Sequence, residues 1–387
     1  MKIKIFDTSL RDGEQIPGFK LEDFNKVEIA RQLEKLGVDV IEAGFPISSQ
    51  GDFKSVVEIS HAVSTTIICV LTRAMKKDIE IAAKALEGAK QARIHTGLGT
   101  SECHIHYKFN RMPEKIIEQA VESVKYAKRF VEEVEFYAED AGRTKNEFLA
   151  LIFEAVIKAG ATILNLPDTT GYCLPKVYGE KIRYIKENVK GIEKAIISTH
   201  CHNDLGLATA NSLEGIINGA QQVECCLNGL GERAGNTALE EIVMILKEHH
   251  NLGYETNIKT ELLGKTSTFF SKYTGFTLQA NKAIVGSNVF AHSSGIHQNG
   301  LMKNRKTYEN IDTQKIGIKE TRIILTPKSG KSALIFRYKK LGYVLSNKNI
   351  YSLYSLYLKY ADKKKEIQDE DIKMMLKIAK FSTAIYV

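Results

Sequence analysis

The chain has 387 residues, of which 43% are hydrophobic and 26% are charged, and its formal net charge is +8. This composition is that of a globular protein and excludes a disordered chain, and no apolar run approaches the ~20 residues of a membrane helix. Six cysteines without CxxC spacing and an amino terminus without a signal-peptide core predict a cytoplasmic protein with reduced thiols. We attribute the charge to a lysine-rich surface, with attraction of anionic small substrates as the alternative, and expect neither nucleic acid nor membrane as partner.

Eight runs rich in apolar residues recur over the first two-thirds of the chain, and each predicts a β-strand. They are 2–10, 38–45, 65–72, 92–97, 134–138, 161–167, 195–202 and 222–230. Most do not alternate strictly, which is typical of strands that are buried on both faces. Helical patterns lie between them, for example at 24–36, 113–131 and 145–158, and several end at a glycine.

Eight strand–helix alternations over about 250 residues predict an α/β fold, a (β/α)8 TIM barrel. An open doubly wound sheet is the alternative, but its dinucleotide-binding form would place GxGxxG after the first strand, where the sequence has none. The pattern changes beyond residue 255. We predict a catalytic barrel at 1–255, a linker with a loop rich in histidine and glycine at 256–325, and a helical subdomain at 326–387 with helices at 330–341, 347–359 and 369–381.

Charged and imidazole side chains collect after the predicted strands, where TIM barrels place their chemistry. His200 and His202 share one face of the seventh strand, because alternate side chains of a strand point the same way. Asp12 and Asn236 follow the first and eighth strands, which adjoin the seventh in a closed barrel. One carboxylate, two imidazoles and one amide oxygen suit Mg, Mn, Zn or Co. Open coordination positions would make this a catalytic metal rather than a structural one.

Other polar groups at the same strand ends have two interpretations each. Arg11 could stabilise an enolate or alkoxide oxygen, or it could form a structural ion pair with Glu42 or Glu139. The two glutamates could act as acid–base groups or hold hydroxyls and arginines. His95 is either a proton shuttle or the capped end of a strand.

A second HxH pair, His104 and His106, repeats the spacing of the first. We predict that it lies in a polar loop with no carboxylate nearby and holds no metal. Arg73, by contrast, follows the third strand, and we place it with Glu42 among the substrate-binding residues.

Three motifs resemble the signatures of the DRE-type metallolyases, the DRE-TIM family. The first is FDTSLRDGEQ at 6–15, the second THCHNDLGLATAN at 199–211 and the third NGLGERAGN at 228–236. The likeness runs from the first residues to about residue 335. Within the family, the stretches 44–46, 71–74, 93–96, 165–169 and 292–298 most resemble synthases that join acetyl-CoA to a 2-oxo acid.

The resemblance implies a role for each matching position. Asp12, His200, His202 and Asn236 would hold the divalent metal, which is Mn, Mg, Zn or Co. Arg11 would stabilise the enolate, and Glu139 and Thr169 would line the pocket of the 2-oxo acid. His95 and His297 would take part in proton transfer. His297 would come from the second subunit of a homodimer with exchanged C-terminal regions.

The implied reaction is a Claisen condensation of acetyl-CoA, the co-substrate, with 3-methyl-2-oxobutanoate. The same chemistry on 2-oxoglutarate or pyruvate is an alternative, because a methylene or two in the pocket changes specificity by only ~10–200-fold. C–C cleavage of an acyl-CoA is the second alternative, and a barrel that binds metal and ligand without chemistry is the third. Longer relatives carry a leucine-binding regulatory domain; for a chain that ends at Val387 we expect no allosteric inhibition by leucine.

Overall fold

The computed structural model describes residues 1–18, 21–318 and 321–379. It forms two compact units, Met1–Leu278 and the chain from Gln279 onward. The sequence placed the end of the barrel domain at 255, whereas the first unit runs to 278. The further predicted division at 325 stays a prediction.

Eight parallel strands form a closed barrel in sequence order, and the last strand pairs with the first. They are β1 (Lys4–Asp7), β2 (Val40–Glu42), β3 (Ile67–Arg73), β4 (Ala92–Gly99), β5 (Glu133–Glu139), β6 (Ile163–Asp168), β7 (Ile196–Cys201) and β8 (Gln222–Cys225). In the closing pair, Lys4 lies opposite Gln222 and Asp7 opposite Cys225. The predicted TIM barrel is confirmed, and each predicted strand overlaps an observed one.

Eight helices follow the strands in turn, and a ninth follows the barrel. They are α1 (Asp23–Leu36), α2 (Gln50–Ala62), α3 (Lys76–Ala85), α4 (Pro113–Ala127), α5 (Asn146–Ala159), α6 (Pro175–Asn188), α7 (Ala208–Ile217), α8 (Leu239–Glu248) and α9 (Leu263–Thr274). Gly37 and Gly160 end α1 and α5 in the left-handed conformation, with φ of 96° and 111°. A glycine adopts this conformation without the steric cost of a Cβ, which explains the glycine stops of the sequence.

Helix α9 extends the first unit past residue 255. Its Thr266 hydroxyl accepts a hydrogen bond from the Gln32 side chain of α1 at 2.8 Å. Phe270 on the same helix is fully buried. These contacts attach α9 to the outer helices of the barrel, so the change of sequence pattern near 255 does not mark the end of the packed unit.

The interior of the barrel carries a layer of buried charge. Arg93 is fully buried and donates hydrogen bonds to Glu135 and Gln222, both at 2.8 Å, and to Glu133. Burying a charge costs several kcal/mol unless partners satisfy it, and here each guanidinium nitrogen has one. Phe6 of β1 lies beside this layer, with its ring 6.0 Å from the Arg93 guanidinium.

The second unit contains the strands β9 (Ala291–His292) and β10 (Arg322–Ile323), which pair in parallel. Its helices are α10 (Gly295–Lys303), α11 (Lys331–Lys340), α12 (Asn347–Ala361) and α13 (Asp369–Ile378). Leu334, Leu353 and Tyr357 are fully buried in its core. The predicted helical region is confirmed, but the expected histidine- and glycine-rich loop is wrong in part, since β9 and α10 occupy it. The predicted end of the last helix at 381 lies outside the described residues.

Among the described residues, no helix combines the length and the apolar character that crossing a membrane requires.

Candidate active site

Three of the four predicted metal ligands meet at the carboxyl end of the barrel. Asp12 lies just after β1, His200 is in β7 and His202 follows β7, and one ligand atom from each lies within 4.8 Å of the other two. The Nε2 atoms of His200 and His202 are 3.1 Å apart, and His200 Nε2 lies 4.0 Å from Asp12 Oδ2. Two N–H groups that face each other at this distance would repel, so at least one of the two Nε2 atoms is unprotonated. An unprotonated nitrogen has a lone pair that can bind an ion shared by the two rings.

Asn236 completes the group. Its amide nitrogen donates to Asp12 Oδ2, and its amide oxygen is buried without a hydrogen-bond partner among the described residues. A buried polar atom without a partner is costly and calls for an explanation, such as an ion. A carboxylate, two imidazoles and an unpartnered amide oxygen are a suitable donor set for a divalent cation, so these residues fit the metal that the sequence predicts.

Glycines allow the chain after β8 to bring Asn236 into place. Gly235 has φ of 86°, and a Cβ built on it would lie 1.9 Å from the carbonyl oxygen of Gly229. Gly231 has φ of 154°, and its Cβ would lie 2.8 Å from Asp12 Oδ2. Any other residue at these two positions would clash with the loop or with the candidate metal ligand, which accounts for the glycines of the third motif.

The electrostatics of the group favour cation binding. Burial lowers the pKa of His200 and of His202 to about 4, so both imidazoles are neutral and keep a free lone pair at neutral pH. Burial acts to raise the pKa of Asp12, but the charge of Arg11, foremost among several favourable contacts, lowers it. Neutral imidazoles and an ionised carboxylate are the protonation states that metal binding requires.

Arg11 is fixed between two acids. Its Nε donates to Glu42 Oε2 at 2.7 Å, and its Nη1 lies 3.4 Å from Asp12 Oδ1. The other oxygen of Glu42 lies 3.0 Å from His95 Nδ1, and the Nε2 atom of that ring lies 3.3 Å from the Asn165 side chain. The sequence left two alternatives for Arg11, a structural ion pair or stabilisation of an oxyanion near the metal. The structure contains the ion pair with Glu42 and also places Arg11 beside Asp12, so the geometry allows both.

A second group with ligand atoms within 4.8 Å of one another consists of His95, Glu135 and Glu224. The nitrogens of His95 are engaged by Glu42 and Asn165, and the oxygens of Glu135 accept from Gln222 and Arg93. Burial opposes protonation of His95, but the surrounding glutamates, Glu135 first among them, raise its pKa. Neighbouring side chains thus satisfy His95 and Glu135, whereas Glu224 Oε2 has no hydrogen-bond partner in the described part of the chain.

A cavity of about 350 Å³ opens above the candidate metal ligands. The predicted site residues that line it are Arg11, Asp12, Arg73, His95, Glu139, Thr169, His200 and His202. Leu71, Tyr137 and Pro167 give part of its wall an apolar surface. Glu42 is fully buried and does not line the cavity. It contacts Arg11 and His95, which do, and so acts on a ligand only through those two side chains.

Glu139 has partners that the sequence did not predict. Lys108 Nζ lies 2.8 and 2.7 Å from its two oxygens, and His104 Nδ1 lies 4.0 Å from Oε1. Both come from a π-helical turn, His104–Phe109. The prediction of a polar loop without a nearby carboxylate is therefore wrong, because Glu139 is remote in sequence and adjacent in space. π-Helical turns are rare but frequently occur at functional sites, and no pattern in the sequence predicted this one.

Arg73 and Thr169 are held at the rim of the cavity. Arg73 forms a bidentate ion pair with Asp78 of α3, with distances of 2.7 and 3.1 Å. Thr169 Oγ1 accepts the backbone N–H of Asp140 at 2.9 Å, and its carbonyl accepts from Arg233 at 2.7 Å. Thr169 lines the cavity, so its hydroxyl is placed to donate to a ligand there.

His297 belongs to the second unit, where it lies in α10. Its ring stacks on that of Tyr308, with 4.1 Å between the ring centroids, and His292 lies 6.5 Å away. The role of His297 in proton transfer, like the homodimer, stays a prediction.

Comparisons with known proteins identify the family of the chain. Residues 2–269 match the HMGL-like family, and residues 284–365 match the homocitrate synthase post-HMGL domain-like family. A 2-isopropylmalate synthase of Parabacteroides distasonis is 58% identical over 97% of this chain and 75% of its own. One from Dictyoglomus turgidum is 54% identical over 97% of this chain and 74% of its own.

Solved structures show the same barrel. The hydroxymethylglutaryl-CoA lyase from Pseudomonas aeruginosa superposes with a TM-score of 0.62 and 20% identity over 72% of this chain and 94% of that one. At this identity the similarity concerns the fold alone. The family match covers most of the chain, and the curated relatives match it along nearly its whole length. The chain therefore belongs to the HMGL-like family, the metal-dependent TIM-barrel enzymes that the three sequence motifs indicated, and within it to the group that contains the 2-isopropylmalate synthases.

Proposed function

We propose that the chain catalyses the condensation of acetyl-CoA with 3-methyl-2-oxobutanoate, which yields 2-isopropylmalate and CoA. The observation that carries the proposal is that Asp12, His200 and His202 lie together beside Arg11, in a chain that is 58% identical to a 2-isopropylmalate synthase. This reaction makes the enzyme an acyltransferase of leucine biosynthesis.

Asp12, His200, His202 and Asn236 would hold a divalent ion, Mn, Mg, Zn or Co. When bound, such an ion supplies Lewis acidity to a carbonyl oxygen and orients the 2-oxo acid. The unpartnered oxygen of Asn236 and the two facing Nε2 atoms support this assignment.

In the first step the methyl group of acetyl-CoA loses a proton, and the resulting enolate carbon forms a bond with the ketone carbon of the 2-oxo acid. The ketone oxygen gains the electron pair and then a proton, and hydrolysis of the thioester releases CoA. Arg11 would stabilise the negative oxygen, because Glu42 fixes its guanidinium with the remaining N–H groups towards Asp12. His95 and His297 would carry protons, and Glu139 and Thr169 would position the 2-oxo acid.

The cavity lining favours a branched apolar substrate over 2-oxoglutarate. The second carboxylate of 2-oxoglutarate would need a cation, and each of the three lining Arg and Lys side chains already has an acidic partner: Arg11–Glu42, Arg73–Asp78 and Lys108–Glu139. Leu71, Tyr137 and Pro167 offer an apolar surface to an isopropyl group. Burial of the two additional methyl groups, compared with pyruvate, contributes about 0.8 kcal/mol for each carbon.

One assay tests the proposal. Release of free CoA from acetyl-CoA is followed in the presence of Mn²⁺ with 3-methyl-2-oxobutanoate, 2-oxoglutarate or pyruvate, and each product is identified by mass spectrometry. We expect the highest kcat/KM with 3-methyl-2-oxobutanoate and no turnover by the His202→Ala variant. A higher kcat/KM with another acid would reassign the substrate, and no CoA release with any of the three would contradict the proposal.

A further inference from the structure

Glu224 lies directly beneath one of the candidate metal ligands. Strands β7 and β8 pair so that His200 is opposite Glu224, and both residues line the cavity at the mouth of the barrel. The distance between His200 Nδ1 and Glu224 Oε2 is 3.1 Å. Glu224 is fully buried, so water does not compete for this contact.

Both atoms are buried, and neither meets the geometry of a hydrogen bond in the described part of the chain, although only 3.1 Å separates them. A neutral imidazole carries one proton, on Nδ1 or on Nε2. The Nε2 atom of His200 faces His202 and Asp12, so it must be unprotonated to bind a cation. The proton then resides on Nδ1, where Glu224 Oε2 is the acceptor within reach.

The carboxylate of Glu224 is itself held in place. Ser198 Oγ donates to Glu224 Oε1 at 3.1 Å and accepts a hydrogen bond from Gln222 Nε2 at 2.9 Å. Gln222 in turn accepts from Arg93, which belongs to the buried charged layer of the barrel. The orientation of Glu224 Oε2 is therefore fixed by the interior of the barrel.

We propose that Glu224 is a positioning residue of the metal site: it accepts the Nδ1–H of His200, selects the tautomer with a free Nε2 and fixes the plane of the ring. The inference rests on the metal site of the proposed function. A carboxylate behind a histidine ligand also increases the basicity of the ligand, and its loss typically costs ~10–100-fold in metal affinity.

Glu135 provides a matched control. It is also a fully buried glutamate inside the barrel, but its hydrogen bonds run to Arg93 and Gln222. The same substitution, glutamate to glutamine, makes the same chemical change at the same burial in a residue that contacts Arg93, Gln222 and Glu224 rather than a candidate metal ligand.

The test is the binding of Mn²⁺ alone to the metal-free full chain, measured by calorimetric titration for the wild type, Glu224→Gln and Glu135→Gln. We expect Glu224→Gln to raise the Kd ~10–100-fold and Glu135→Gln to bind like the wild type. The visible spectrum of bound Co²⁺ should change for Glu224→Gln only. Equal Kd values for Glu224→Gln and the wild type, or an equal loss in both variants, would overturn the inference.

A second measurement does not depend on the folding of any variant at position 224. In the wild-type metal-free protein labelled with ¹⁵N-histidine, the resonances of His200 should be those of the Nδ1–H tautomer. An Nε2–H tautomer would overturn the inference while leaving the proposed reaction intact. A wild-type protein that does not bind Mn²⁺ would overturn both the metal site and the inference, so the two failures are distinguishable.

Discussion

Arg11 and Glu42 form an ion pair at the carboxyl end of the barrel, with 2.7 Å between Arg11 Nε and Glu42 Oε2. Burial tends to raise the pKa of Glu42, but the charge of Arg11, together with the contact to His95, lowers it, so the acid is ionised at neutral pH. The pair therefore leaves one edge of the guanidinium bound and the other directed towards Asp12.

Substitution of Arg11 by lysine should lower kcat far more than it changes KM. A lysine ammonium is a single point charge and cannot hold Glu42 and also offer a planar pair of N–H groups to a developing oxyanion. We expect a fall of ~10²–10³ in kcat, the usual cost of losing one oxyanion donor. Steady-state kinetics with 3-methyl-2-oxobutanoate measures the effect. An unchanged kcat would make Arg11 a purely structural partner of Glu42.

Removal of the metal should abolish turnover. Treatment with EDTA is expected to stop CoA release, and Mn, Mg, Zn or Co should restore it. His202→Ala should lose metal affinity and keep the melting temperature of the metal-free wild type, because ligands at the rim do not support barrel packing. Full activity of rigorously metal-free protein would refute the site.

Asp7, at the end of β1, should make the protein less stable as the pH rises. Burial raises its pKa to about 7, whereas an unfolded aspartate titrates near ~3.9. Between these values the unfolded chain releases a proton that the folded chain retains, so the free energy of unfolding falls from about pH 4 to pH 7 and then levels off.

Asp7→Asn should reduce this fall, which for a shift of this size is on the order of 4 kcal/mol at most. The asparagine keeps an oxygen that can accept the Ser9 N–H bonded to Asp7 in the wild type. Urea unfolding at pH 5 and pH 8 measures the difference. The same pH dependence in both proteins would show that Asp7 ionises normally in the folded state.

Mixing two inactive variants should restore activity if the site is shared between subunits. The His297→Ala subunit keeps its metal ligands, and the His202→Ala subunit keeps His297, so each heterodimer would contain one intact composite site. Activity is measured after the variants are mixed and allowed to exchange. No recovery, with heterodimers detected by native mass spectrometry, would mean that each site is formed by one chain.

The barrel and the three clustered candidate metal ligands could be predicted because the sequence patterns that indicate them are local. Eight apolar runs report strands buried on both faces, and the HxH spacing of His200 and His202 places two imidazoles on one side of β7. Once the barrel closes, strand order brings the segment after β1, which carries Asp12, to the same end of the barrel as both histidines.

The missed residues are those whose partners are distant in sequence. Lys108 reaches Glu139 only because a π-helical turn replaces the expected loop, and the role of Glu224 depends on the register of β7 against β8. The sequence also did not predict that Arg93, in a buried strand, would be neutralised by Glu135. Helix geometry at 104–109 and interstrand register are tertiary properties, and local pattern does not specify them.

Asp12 and Asn236 are separated by 224 positions, and the closure of β8 on β1 brings them together. On the ribosome, where domains fold from the amino terminus as they emerge, metal affinity would thus be among the last properties that the nascent barrel acquires. A chain interrupted before residue 236 would lack Asn236, and without the pairing of β8 with β1 it would not hold Asp12 beside the two histidines. Binding of the ion would then indicate that the barrel has closed.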